Sequence, residues 1–169
     1  MTRVVSKRPR MSITMGTLSA NHVERMDEIL RSALDAHGQR FTEQRAAVFR
    51  HLSASVDHPT ADEVFTAVRT QIADISLATV YKALETIVGC GLATKLTYGD
   101  DSARYDARTD DHVHARCLVC GAVRDVHGSN IAGPLSDIRP DAGFRVEGYR
   151  VEVVGYCGRC DSESVSTAP

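Results

Sequence analysis

The sequence predicts an α+β protein, with a winged-helix unit in its first two thirds and a small α/β unit built around a structural metal at its C-terminal end. Three observations carry this. Apolar residues recur at helical spacing up to Gly91, a period of two replaces that spacing afterwards, and two C-x-x-C pairs stand at 117–120 and 157–160.

Residues 1–18 carry Arg3, Lys7, Arg8 and Arg10 without the apolar stretch of a secretory signal, and read as a mobile basic arm. The first helix starts at Ser19. Its apolar face is Val23, Met26, Leu30, Ala33 and Leu34, and Gly38 is placed to end it. A second helix follows Thr42 as N-cap and buries Val48, Phe49 and Leu52. The third has the clearest start: Thr60 and Glu63 form a capping box, Pro59 fixes the entry, and Val64, Val68 and Ile72 repeat every four residues. The fourth begins at Ser76, buries Leu77, Val80, Leu84, Ile87 and Val88, and closes at Gly89 and Gly91.

From Leu92 the pattern alternates through Thr94, Leu96 and Tyr98. "GDDS" turns the chain, and Ala103, Tyr105 and Ala107 alternate back, which predicts a β-hairpin. Short helices followed by such a hairpin are the order of a winged helix, whose last helix, here "SLATVYKALETIVG", enters the DNA major groove. This unit spans 19–108. Residues 109–111 form a hinge. Strand-like segments at 112–119, 122–127 and 144–155, with a weak helix around Pro134–Ile138, make the second unit at 112–160, and a Ser-rich tail occupies 161–169.

No apolar run approaches the ~18 residues of a membrane span, and with no export signal the chain is expected in the cytoplasm. The formal charge of −2 hides an asymmetry: residues 1–108 hold 14 basic against 13 acidic side chains, residues 109–169 hold 6 against 9. Without export, four cysteines in two C-x-x-C pairs point to metal rather than disulfides. Cys117, Cys120, Cys157 and Cys160 supply the four thiolates of a closed tetrahedral zinc site, which leaves no position for imidazole. His112 and His114 therefore need a second site, and strand alternation puts both rings on one face. Asp106 at the end of the hairpin, Asp125 on the following strand and His58 before Pro59 complete three nitrogens and two carboxylates. That set suits iron(II) or manganese(II). Cys90 has no companion and reads as a buried apolar residue.

The segments "RFTEQRAAVFRHL", "HPTADEVFTAVR", "ISLATVYKALE", "GLATKLTYGDDSARYD", "DHVHARCLVCGAVRDV" and "GYCGRC" resemble the ferric uptake regulator superfamily in order and spacing over about residues 20–160. The likeness is greatest to its peroxide-sensing branch, through Asp at 106 and 125 and the stretch "KLTYGD". The resemblance implies a homodimeric repressor of transcription on palindromic double-stranded operator DNA, with 112–160 as dimerisation domain. It places structural zinc on the four cysteines and regulatory iron or manganese on His58, Asp106, His112, His114 and Asp125. Oxidation by peroxide would fall on His58 or His112. Arg40, Arg45 and Lys82 are candidates for DNA phosphates, and Ser76, Thr79 and Tyr81 for the recognition face. An iron-responsive or zinc-responsive repressor of the same fold is the alternative. A non-haem iron oxygenase lacks its expected Glu, since positions 118 and 119 are Leu and Val. The chain departs from the family at Glu43, where many members have Pro, at Gly133–Pro134, which interrupts a usually longer helix, and in its basic arm. Tyr149 stands where some iron sensors place a histidine for a third metal site.

Overall fold

A computed structural model describes residues 20–98, 102–110, 112–126, 143–144 and 151–161. The basic arm, the turn at 99–101, position 111 of the hinge, the helix around Pro134–Ile138, Tyr149 and the tail beyond 161 lie outside the described residues.

Four helices come first: α1 (Ala20–Ala36), α2 (Glu43–Ala54), α3 (Ala61–Val68) and α4 (Leu77–Gly89). Each expected cap is present. Thr42 accepts the amide of Arg45 and Ser76 that of Thr79, while Thr60 and Glu63 bond reciprocally, Thr60 N donating to Glu63 Oε2 at 2.7 Å and Glu63 N to Thr60 Oγ1 at 3.2 Å. Such caps contribute about 1 kcal/mol apiece. Gly38, at φ 63°, lets α1 end where expected. The helix α3 is shorter than its apolar repeat suggests: it stops at Val68, where the Thr70 hydroxyl donates to the Ala67 carbonyl. Ile72 sits in the turns beyond but still packs on the core. Leu77 and Val88 are half-buried rather than buried.

Strands β1 (Thr94–Leu96) and β2 (Arg104–Asp106) pair antiparallel, Thr94 opposite Asp106. Ala93, not Thr94, faces the core, because the positive φ of Gly91 turns the chain and the strand's alternation starts only after it. The interior is one cluster from Leu30 to Tyr105 that joins all four helices and β2. A bridge between Thr60 and Arg104, with Tyr105 N donating to Pro59 O at 3.0 Å, stitches β2 against the entry to α3.

The second sheet has the order β4-β3-β5, formed by β3 (Val113–Cys117), β4 (Val123–Val126) and β5 (Glu152–Gly155). β3 pairs antiparallel with β4 and parallel with β5. Its buried residues, among those described, are Val123 and two cysteines, Cys117 and Cys160. Leu118, Val119, Val154 and Tyr156 are each at least half exposed.

Candidate metal centre

The four cysteines and the five His/Asp residues each gather into a cluster whose donor atoms all lie within 4.8 Å of one another. In the sulfur cluster, Gly121 at φ 65° closes the first knuckle, with its amide donating to Cys117 O at 3.0 Å, and the amide of Cys160 closes the second onto Cys157 O at 2.9 Å. Amides of Cys120 and Cys157 donate toward Cys117 Sγ and hold that thiol down to about 6, whereas burial pushes Cys160 up to about 12. Four converging sulfurs with no disulfide among them fit zinc.

The second cluster takes donors from both sheets and from the entry of α3. His114 stands directly opposite Asp125 in the β3–β4 ladder, and His112 immediately precedes β3 on the same side. Asp106 ends β2. His58 is brought beside it by the Thr60–Arg104 bridge, and is the one non-glycine at positive φ among the described residues, at 48°. A residue before proline normally avoids this region, so the turn stores about 1–3 kcal/mol of strain at the site. Arg104 secures it, donating from Nη1 to the His58 carbonyl at 3.0 Å and from Nε to the Gly121 carbonyl at 3.1 Å.

All three imidazoles aim Nε2 at the same two oxygens. Asp106 Oδ2 lies 3.0 Å from His112, 3.3 Å from His114 and 3.6 Å from His58. Asp125 Oδ1 lies 2.9, 3.3 and 3.7 Å from His58, His112 and His114. His58 and Asp106 are 4% and 7% exposed, so these two donors are almost dry, while His112, His114 and Asp125 are partly buried. Burial works against charge on both. For His58 the neighbouring Asp106 and Asp125 outweigh it and hold the ring above its ordinary value; for Asp106 the bonds from His114, His58 and the Arg108 amide hold the carboxyl far below the usual carboxylate range. His112 Nδ1 bonds the Asp110 carbonyl at 2.7 Å, so that nitrogen is the donor there and Nε2 is the atom turned to the carboxylates. Despite these short separations, neither His112 Nε2 nor Asp125 Oδ1 is in hydrogen-bonding geometry with a partner, and both are buried. Orphaned, convergent nitrogen and oxygen donors are the arrangement a divalent cation satisfies. His58 Nδ1 is also buried without a partner, and nothing in the structure explains it.

The profile of the ferric uptake regulator family matches residues 36–154. The chain belongs to the ferric uptake regulator family. This is a family of transcriptional regulators, not enzymes. The chain is 36% identical over 132 residues to "Peroxide-responsive repressor PerR" of Staphylococcus epidermidis, covering 78% of this chain and 88% of that one. It is 38% identical over 126 residues to "Peroxide operon regulator" of Bacillus subtilis, covering 75% and 87%. Among solved structures, the ferric uptake regulator Fur of Helicobacter pylori shares the fold, with TM-score 0.70, 21% identity and coverage of 82% and 93%. A "zinc-bound manganese uptake regulator" superposes with TM-score 0.62 at 29% identity, covering 76% and 98%.

The candidate DNA residues divide. Arg40, Arg45, Thr79 and Lys82 line one open groove of about 430 Å3 between α2 and α4, and Tyr81 is 44% exposed beside it. Arg45 pairs with no acid on its own helix: its guanidinium donates to Gln39 Oε1 and Thr86 Oγ1, both at 3.3 Å, and to the Arg40 carbonyl, tying α2 to α4. Ser76 Oγ is engaged as the cap of α4. Sequence reasoning missed Arg104, Arg108 and Asp110, which surround the regulatory cluster. Their signal was the alternation of arginine and aspartate at 104, 106, 108 and 110, which places paired charges along one side of an extended chain.

Proposed function

We propose that the chain is a metal-dependent dimeric repressor that senses hydrogen peroxide, with 19–108 as DNA-binding domain, 109–111 as hinge and 112–160 as dimerisation domain. One observation carries the reading: the five donors come from both halves, His58 and Asp106 from the winged helix and His112, His114 and Asp125 from the sheet half. Satisfying all five at once fixes the hinge. In a dimer this sets the separation of the two α4 helices against a palindromic operator. The thiolates of Cys117, Cys120, Cys157 and Cys160 hold zinc, and the five-donor cluster holds iron(II) or manganese(II).

Exposed apolar side chains at Leu118, Val119, Val153, Val154 and Tyr156 support a second copy against the sheet half. Arg40, Arg45 and Lys82 take phosphates, and Ser76, Thr79 and Tyr81 face the bases. The names of the relatives support the peroxide signal. Iron(II), when bound, supplies the reducing electron for peroxide. Of the three imidazoles, His58 and His112 are the ones that the family likeness marks for oxidation; an imidazole that has gained oxygen would be a weaker nitrogen donor, and the halves would no longer be held together. Such a repressor works in the cytoplasm.

Iron-loaded protein bound to its operator, treated briefly with peroxide, should leave the DNA and gain one oxygen atom on a peptide containing His58 or His112 by mass spectrometry. Manganese-loaded protein should stay bound. Release with oxidised cysteines and intact histidines would overturn peroxide sensing at this cluster, and reversible iron-dependent binding with no modification would identify an iron-responsive repressor instead.

A further inference from the structure

Among the described residues outside the regulatory cluster, Arg108 bonds both of its carboxylates. Its main-chain amide donates to Asp106 Oδ1 at 2.8 Å, and its Nη1 donates to Asp125 Oδ2 at 3.2 Å. These are the two carboxylate oxygens that do not face the imidazoles. The guanidinium is itself oriented by a two-point fork on Asp110, Nε to Oδ1 at 2.8 Å and Nη2 to Oδ2 at 2.7 Å. The Asp110 carbonyl in turn accepts the Nδ1 proton of His112. Residues 108–110 thus register three of the five donors, Asp106, Asp125 and His112, and do so from within the segment that joins the two halves.

We propose that Arg108 is a positioning residue that makes both carboxylates single-oxygen donors, so that the cluster presents five donor atoms and keeps a coordination position free. The proposal rests on the reading of the cluster as a metal site. An aspartate left to itself can chelate a divalent ion through one oxygen or both. Here the second oxygen of each is already occupied by an N–H from Arg108, and turning either carboxylate to chelate would break that bond. Groups that hold metal ligands in this way typically change affinity by about 10–100-fold when removed. The main-chain amide on Asp106 survives any substitution, but on Asp125 the role requires arginine. Its planar fork grips Asp110 while a further N–H reaches Asp125, and one ammonium group cannot match that geometry.

The test uses the full chain with its zinc in place and cobalt(II) as probe of the second site, read by visible absorption and by affinity. Arg108→Ala should weaken cobalt binding about tenfold or more and reduce the intensity of the d–d bands, as a free carboxylate closes onto the ion and coordination number rises. Arg108→Lys should not restore the spectrum. Asp110→Asn, which loosens the fork without removing the arginine, should move both readouts the same way by less. Unchanged zinc content certifies that the variants are folded. Arg108→Ala with wild-type spectrum and affinity, or full rescue by lysine, would overturn the proposal. A wild-type chain that takes up no cobalt beyond the thiolate cluster would instead overturn the metal site, and Arg108's role with it.

Discussion

The sulfur cluster and the imidazole–carboxylate cluster both gather donors within 4.8 Å, yet the proposed function gives them opposite work, because their donors enter the fold differently. The cysteines all belong to the sheet half, where Cys117 and Cys160 stand with Val123 as its buried residues among those described. The helical half instead closes around an apolar core that needs no ion. On the proposed reading a metal at the cysteines stands in for a core, whereas a metal at His58, Asp106, His112, His114 and Asp125 links the helical half, which has its own apolar core, to a sheet half that meets it in the described residues through polar contacts such as Arg104–Gly121 and Arg124–Asp57. The first would build structure; the second would report on it.

Removing a thiolate should break the comparison most severely. Cys160→Ser should lose zinc, and with it folding free energy on the order of 10 kcal/mol. The exposed sheet half should then unfold and the dimer dissociate, while the helical signal in circular dichroism survives. Zinc stoichiometry, sedimentation and the far-ultraviolet spectrum check this together. A zinc-free variant that still binds operator in a manganese-dependent way would show that the two clusters are not arranged in series.

His114→Ala should sharpen the comparison from the other side. It removes one of the three imidazoles that face both Asp106 and Asp125 and leaves the thiolates untouched. Zinc content and dimer should be unchanged, and manganese should no longer tighten operator binding. To shift the hinge from 1% to 99% closed takes about 5.5 kcal/mol of preferential binding. Even a partial loss should exceed about tenfold in operator affinity, or about 1.4 kcal/mol, by fluorescence anisotropy with and without manganese.

The two clusters were also unequally legible in the sequence. Each C-x-x-C pair is a local device whose geometry follows from two intervening residues, and the helix starts at Thr42, Thr60 and Ser76 are equally local. His112 and His114 were legible through strand parity alone. His58, Asp106 and Asp125 could be chosen by chemistry, but nothing local brings them together: that depends on the Thr60–Arg104 bridge and on the path from β2 to β3. The strained φ of His58 runs against what a residue before proline ordinarily adopts, so no local rule forecasts it. Arg108 and Asp110 escaped for a related reason. Their partners are fixed by the linker's path, and alternating charges on an extended segment usually face water. Arg45 shows the converse, since a basic residue chosen as a phosphate contact already gives part of its guanidinium to the protein.

The smallest expected difference between the clusters is in their response to pH. In metal-free protein the ring of His58 is held above its ordinary value of 6.5 by Asp106 and Asp125, which overcome its burial. A folded-state pKa above the unfolded one means that the charged ring stabilises the fold fully below 6.5, and that this contribution is lost as pH rises through the higher value. The metal demands the opposite, a neutral ring, so binding expels the proton over the same interval. The melting temperature of metal-free protein should therefore fall as pH rises above 6.5, while the increment added by manganese grows. Replacing His58 by Asn should flatten the first trend and abolish the second. Zinc retention should change far less across that interval, because zinc in a closed four-thiolate site is bound with the folding free energy of the sheet half. If acid instead released zinc first and left manganese bound, the division between a cluster that builds and a cluster that reports would be reversed.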